Sequence, residues 1–313
     1  KTMTTSNIIK LDDLTSLQVT GSDATKFLHA QFTNDLANLP VNAWQYSGYC
    51  TPKGRLLAFM TIVRVDENEY LLILPLEISK KILPRLRMFV MRDDVTITSQ
   101  LDHLGIIGIV GNAVALTDIA VPAAGETGKF TKVGDSYLLT IENGRNGKVE
   151  RYMYISDIEK IDRFCQSGSS RNDWTLLDIQ AGIPAILAAT QEAFVPQMVN
   201  LDLIGAVNFK KGCYPGQEVV ARVHYLGKIK QRMFVVRCEG KITALPNDKV
   251  YITGQEEKAA GTVVQSAITN SHHLLQVVLQ TAAIIDDADI WLGSNNGVKL
   301  MLDSQPYPIL EKE

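Results

Sequence analysis

One cysteine, Cys213, stands in a setting that suits reactive-thiol chemistry: Lys210-Lys211-Gly212-Cys213-Tyr214-Pro215-Gly216-Gln217-Glu218. The thiolate, not the thiol, is the nucleophile and the metal ligand, and positive neighbours favour it. Lys210 and Lys211 precede Cys213, and Arg222 follows within Val219-Val220-Ala221-Arg222-Val223. The valines at 219, 220 and 223 fit one face of a helix. Pro215 suits the first helical position, since its missing N–H would be unpaired there anyway. Cys213 is therefore expected just before a helix N-terminus, whose positive end would add to Lys210, Lys211 and Arg222. Flanking glycines leave room for a partner or ligand. The competing reading is a structural cysteine, which would more often have apolar neighbours.

Other patterns carry less. Gly105-Ile106-Ile107-Gly108-Ile109-Val110-Gly111 is spaced GxxGxxG, not the dinucleotide fingerprint GxGxxG, and reads as a close strand-to-helix turn. The histidines are His29, His103, His224, His272 and His273, none in HExxH or beside CxxC, and adjacent His272 and His273 would point to opposite faces of a strand. No metal site is expected. Asp286-Asp287-Ala288-Asp289 lacks the calcium-loop pattern and reads as a solvated turn. There is no GxSxG elbow and no P-loop.

These residues need a scaffold. The 313 residues point to about two domains, and 46% hydrophobic with 21% charged residues is ordinary for a globular chain. The net charge of -3 and the lack of a Lys/Arg-rich run disfavour stable direct nucleic-acid binding. No apolar run reaches the roughly 18 residues of a membrane helix. Residues 1–6 are polar, with no signal-peptide core or Arg-rich transit pattern. Cys50, Cys165, Cys213 and Cys238 are far apart, as in a chain that keeps its thiols reduced. A cytoplasmic protein is expected.

Residues 8–20 alternate like a strand. Ser22 is the expected N-cap of an amphipathic helix over 23–34, with Ala24, Phe27 and Leu28 on one face. Strands are expected at 44–50 and 56–65, around the turn Thr51-Pro52-Lys53-Gly54, and at 70–74, 94–99 and 104–110. Residues 77–91 read as a helix interrupted by Pro84. The mixture indicates an α+β arrangement. Beyond about residue 227 the texture changes to short strands at 230–237, 248–253, 259–267 and 273–280. A hairpin is expected around Asn296-Gly297, between apolar strands. Such spacing indicates a small barrel or sandwich. The expected division is 3–227 and 228–310.

Lys-Gly-Cys-Tyr-x-Gly-Gln-Glu, here residues 211–218, resembles the signature of YgfZ-type folate-binding proteins, relatives of the glycine-cleavage T-protein. The resemblance extends over nearly the whole chain. Phe27-Leu28-His29-Ala30-Gln31-Phe32-Thr33-Asn34-Asp35 is similar to the family's early helix, usually Phe-Leu-Gln-Gly-Gln-x-Thr-x-Asp. Cys50-Thr51-Pro52-Lys53-Gly54-Arg55 looks like its Cys-x-x-Lys-Gly-Lys/Arg turn. Ala181-Gly182-Ile183-Pro184 and Phe194-Val195-Pro196-Gln197-Met198-Val199-Asn200-Leu201 are similar to the stretch leading to the cysteine. The resemblance implies a ring of two interleaved α+β subdomains closed by a C-terminal β-barrel, with a central hole for tetrahydrofolate. It implies support of iron–sulfur cluster enzymes as clients, including those that thiolate tRNA. Two tryptophan positions that line the folate site correspond to Trp174 and Leu14, and the leucine removes one aromatic face. Gln217 and Glu218 of the signature are carried over as further cofactor-site residues.

The T-protein is an aminomethyltransferase that needs a carboxylate on an Asp-Asp pair after the second turn. Aligning on Gly54 puts Ala58 and Phe59 there, and neither can accept a proton. Where the T-protein tends to carry Arg-Leu-Glu-Ala-Gly, this chain has Asp178-Ile179-Gln180-Ala181-Gly182. The expected function is a folate-binding factor acting through Cys213. The alternatives are a folate-dependent one-carbon enzyme and an interaction scaffold without folate, so enzyme status is left open.

Overall fold

The computed structural model describes residues 7–111, 128–141, 150–164, 170–226, 229–240, 242–253, 258–294 and 297–309. The chain opens with β1 (Asn7–Lys10), β2 (Leu14–Thr20), α1 (Ala24–Gln31), β3 (Ala43–Cys50), β4 (Leu56–Asp66) and β5 (Glu69–Pro75). It continues through α2 (Leu76–Met88), β6 (Thr96–Ser99), β7 (Leu104–Val110), β8 (Phe130–Val133), β9 (Ser136–Ile141) and β10 (Arg151–Asp157). Helices α3 (Ile158–Phe164), α4 (Arg171–Ala181) and α5 (Gln217–Leu226) follow. The last part holds β11 (Gln231–Glu239), β12 (Lys249–Ile252), β13 (Gly261–Ile268), β14 (His272–Gln280), α6 (Thr281–Ile285), β15 (Ile290–Leu292) and β16 (Val298–Leu302).

Two antiparallel five-stranded sheets form the first part, ordered β3-β4-β5-β2-β6 and β1-β7-β10-β9-β8. The first strand belongs to the second sheet, so the two halves are interleaved, as expected. The single strand anticipated over 8–20 is corrected here. Leu14 N–H donates to the Leu11 carbonyl in a turn, and the chain passes from one sheet to the other at Asp12-Asp13. Strand β4 is buried almost end to end because the sheet is covered on both faces. Phe59 and Val63 enter one core while Ala58, Met60 and Ile62 enter another.

Helix α1 buries Ala24, Phe27 and Leu28 as the spacing predicts. Its N-cap residue is Asp23, not Ser22. The Ser22 hydroxyl instead donates to Asp94 Oδ2 at 2.8 Å, which ties this end of α1 to the segment before β6. Helix α2 ends at Met88, three residues short of the expected 91. Within the GxxGxxG segment, Gly105 and Gly108 lie inside β7, where a Cβ on Gly108 would sit 2.3 Å from the Trp174 ring. These glycines are packing devices. The helix expected after Gly111 would fall outside the described residues.

The C-terminal strands close into a six-stranded barrel, β11-β14-β13-β12-β15-β16. Strands β15 and β16 pair as the hairpin reading expects, while Asn295 and Asn296 at its tip lie outside the described residues. So do residues 227 and 228, the expected boundary, and Cys165. The barrel is locked to the rest by Arg232, which grips Asp202 with bonds of 2.6 and 2.9 Å and also donates to the Gln197 carbonyl. Both partners are nearly buried, so the pair is shielded from solvent screening. His273 is buried and its Nε2 accepts the Ile242 N–H, whereas His272 faces the other way, toward Ser271. Among the described residues no helix is long and apolar enough to cross a membrane.

Candidate functional site

Two sites emerge. The first is the Cys213 loop. Cys213 is exposed, whereas Cys50 and Cys238 are buried and all three are free thiols. Burial raises the Cys50 thiol far above the usual range and raises that of Cys238. Only Cys213 among them offers its sulfur to solvent.

The loop is seated by its neighbours. Lys211 is 8% exposed, and its ammonium donates to the carbonyls of His29 and Phe32. Those carbonyls belong to the C-terminal end of α1, where a cation meets the negative end of the helix dipole. The same ammonium lies 4.9 Å from the centre of the Tyr214 ring. Lys211 is thus directed inward, toward α1, not outward to solvent. Gln217 Nε2 donates to the Lys211 carbonyl at 3.2 Å and closes the loop on itself. Gln197, fully buried, donates to the Val220 carbonyl at 2.6 Å and holds α5. Gly216, at φ +83°, lies directly on the turn before β4, where a Cβ would come within 2.5 Å of the Thr51 carbonyl oxygen and Gly54 Cα.

The expected helix start is corrected. Helix α5 begins at Gln217, four residues after Cys213. Pro215 sits in the turn in which Gln217 N–H donates to the Tyr214 carbonyl, and Gly216 takes a left-handed conformation that interrupts the helical path. Val220 is buried, but Val219 is exposed along part of its surface while it touches the Gly54 turn. Arg222 and Glu218 are exposed, and among the described residues neither is joined to Cys213 by a hydrogen bond or ion pair. Electrostatic interaction with Cys213 is present at Lys211.

Burial pulls the Lys211 pKa down from 10.5 to about 8, against the opposing pull of Asp35 and Cys213. Between those values the unfolded chain holds a proton here that the folded chain has released. Stability therefore rises with pH across that window on account of this group, and the penalty is fully present below pH 8. Urea unfolding at pH 7.5 and pH 10 is expected to show the wild type gaining on Lys211→Met as pH increases. A pH-independent difference between the two would count against a buried, depressed lysine.

The second site is a cleft walled by all three parts of the fold. Leu14, Tyr46 and Phe59 come from the first sheet, Ile141 and Met153 from the second, Trp174 and Asp178 from α4, and Gln265 from the barrel. Leu14 and Trp174 are thus brought to one cavity. Lys211, Cys213, Gln217, Glu218 and Arg222 do not line it. Strand β4 links the two sites: from Gly54 at the loop to Phe59 on the wall is about 15 Å of extended chain.

Trp174 is only 2% exposed, with Gly108 against its ring and the Arg151 guanidinium 5.0 Å from its centre. It forms wall, not an open stacking platform. Arg151, 1% exposed, bonds Asp178 at 2.7 Å, and Arg171 bonds Asp13 at 2.6 Å. In the sequence Asp178 stands only as a departure from an arginine, whereas in the structure its carboxylate lies on the cavity wall. A bulge in β13 at Val263/Gln265 re-aims Gln265. Its amide donates to the Ile183 carbonyl and to Gln276 Oε1, and among the described residues its carbonyl oxygen has no hydrogen-bond partner. Buried Gln276 Nε2 also lacks one. Among the described residues no cluster of His, Cys, Asp and Glu could hold a metal ion.

The profile of the GCVT N-terminal domain matches residues 1–119. The chain is 30% identical over 296 residues to the tRNA-modifying protein YgfZ of Blochmanniella pennsylvanica (strain BPEN), covering 91% of this chain and 84% of that one. The chain belongs to the YgfZ family. It is also 26% identical over 317 residues to the tRNA-modifying protein YgfZ of Escherichia coli (strain SE11), covering 97% and 94%. Among solved structures it is similar to the glycine cleavage system aminomethyltransferase T from Bartonella henselae. The TM-score is 0.76 at 12% identity over 96% of this chain and 86% of that one. That likeness shows the fold: the interleaved sheets and closing barrel are those of the T-protein. In this chain residues 211–218 form the loop that seats on both the α1 terminus and the 51–54 turn. The motifs around 27–35, 50–55 and 194–201 are therefore parts of one physical mount for Cys213.

Proposed function

We propose that this chain is a folate-binding factor that supports iron–sulfur cluster enzymes, including those that modify tRNA, with Cys213 as its working thiol. The observation that carries the reading is a solvent-facing thiol on a loop anchored at both flanks, while Cys50 and Cys238 are buried. Relatives over nearly the full length bear the name tRNA-modifying protein.

The lining of the cleft suits a reduced pterin such as that of tetrahydrofolate. Its walls are mainly apolar, as ligand pockets are, with a few polar groups to set orientation. The Asp178 carboxylate and the Gln265 carbonyl oxygen are acceptors suited to the amino and ring N–H donors of a pterin. Trp174, Leu14 and Phe59 would flank the ring. When bound, tetrahydrofolate supplies a reduced pterin and a one-carbon carrier. The chain's own residues would hold and orient it: Arg151 and Arg171 fix the carboxylates of Asp178 and Asp13 by bonds of 2.7 and 2.6 Å, and the apolar walls exclude water. Phe59, where a transferase would place an acid, argues against aminomethyl transfer.

Cells lacking the protein, supplied with Cys213→Ser or Cys213→Ala, are expected to remain deficient in tRNA thiolation by an iron–sulfur enzyme. The purified variants should unfold within about 0.5 kcal/mol of the wild type, because the side chain is exposed. Full rescue by both variants would refute the role of the thiol.

A further inference from the structure

His29 stands on the last turn of α1, at the place where the family's early helix usually carries glutamine. Its ring is 22% exposed and lies between two segments. On one side, Nδ1 accepts the Ala37 N–H at 3.2 Å and lies 3.3 Å from Asp35 Oδ1. On the other, Nε2 faces the Cys213 loop, 3.5 Å from the point where a Cβ on Gly212 would sit. Lys211 and Asp35 are the charged groups around it, one from the loop and one from the segment after α1. Burial and Lys211 lower its pKa, against the opposing pull of Asp35, so the imidazole is neutral at pH 7.

A neutral imidazole carries one proton. Because Nδ1 accepts from Ala37, that proton is on Nε2, and the N–H is turned toward the loop. We infer that His29 is a positioning residue for Cys213, whose Nε2–H donates to the sulfur, or to a group carried on it, and holds it in place. Protonation at lower pH would put a second hydrogen on Nδ1. The imidazolium would then pair with Asp35 and release the Ala37 N–H. The inference rests on Cys213 being the working thiol. It goes beyond that reading by assigning the sulfur a specific hydrogen-bond donor within this chain.

The test is made on the isolated protein. Long-range proton–nitrogen correlation of ¹⁵N-labelled wild type is expected to show His29 in the Nε2–H form at pH 7.5. Its resonances should move when Cys213 is alkylated with iodoacetamide. An Nδ1–H form, or no response to alkylation, would overturn the inference without any variant. Rates of Cys213 alkylation, read by peptide mass spectrometry, should fall about tenfold at pH 7 in His29→Leu, the scale of one charge-assisted hydrogen bond. His29→Gln keeps an N–H donor and should stay within about threefold of the wild type while losing the imidazole step in the pH profile. Equal rates in His29→Leu and the wild type would also overturn it. If Cys213 proves essential in cells while these readouts are flat, only the part given to His29 fails.

Discussion

Asp178→Ala is expected to lower the stability of the chain by about 3 kcal/mol and to abolish binding in the cleft. The effect follows from Arg151, 1% exposed, whose guanidinium lies over Trp174 and bonds Asp178 at 2.7 Å. Removing one partner of a buried ion pair is strongly destabilising, because the partner that stays behind is poorly solvated. Replacing both members by apolar groups of similar size is a different experiment. Arg151→Met with Asp178→Leu should recover most of the stability, since the desolvation of both charges is removed along with their attraction. The double variant should still fail to bind tetrahydrofolate, because the acceptor on the wall is absent. Urea denaturation and isothermal titration on the same samples separate the two effects. Binding retained by the folded double variant would remove Asp178 from the ligand site, whatever happens to stability.

This pair also marks where reading from sequence stops. The barrel was legible because each short strand alternates and ends at a turn, which is a local pattern. The turn at Thr51–Gly54 and the buried face of α1 were legible for the same reason. Arg151 and Asp178 are 27 positions apart and Gln265 and Ile183 are 82 apart, so nothing local announces either contact. The motif around Cys213 was visible as a string of residue types, but its orientation was not. Lys211 reads as a cation beside a thiol, and in the folded chain most of its bonding capacity goes to the end of α1. The break at Asp12-Asp13 shows the same limit. Alternation over 8–20 is real, yet it cannot reveal that the chain changes sheets midway. Leu14 and Trp174 came together in the cleft, but the expected ligand residues Gln217 and Glu218 went with the loop.

The loop's seat on the β3–β4 turn gives the second large expected effect. Gly216 has φ +83°, a left-handed conformation that costs an alanine about 1–2 kcal/mol. Its missing Cβ also faces backbone atoms 2.5 Å away on Thr51 and Gly54, which cannot swing aside as a side chain could. Overpacking of that kind adds about 1–3 kcal/mol, so Gly216→Ala should lose about 2–5 kcal/mol in all. Gly205 provides the control, with φ +72° and nothing within 4 Å of its built Cβ. Gly205→Ala carries the conformational strain without the collision and should lose only about 1–2 kcal/mol. Urea midpoints for the two variants therefore isolate the close approach. The larger loss should come with altered alkylation of Cys213, because lifting Gly216 off the turn also pulls at the Gln217–Lys211 closure. If both variants lost the same amount and Cys213 reacted as in the wild type, the loop would not be held by the turn. The motif at 50–55 would then need a role other than mounting the thiol.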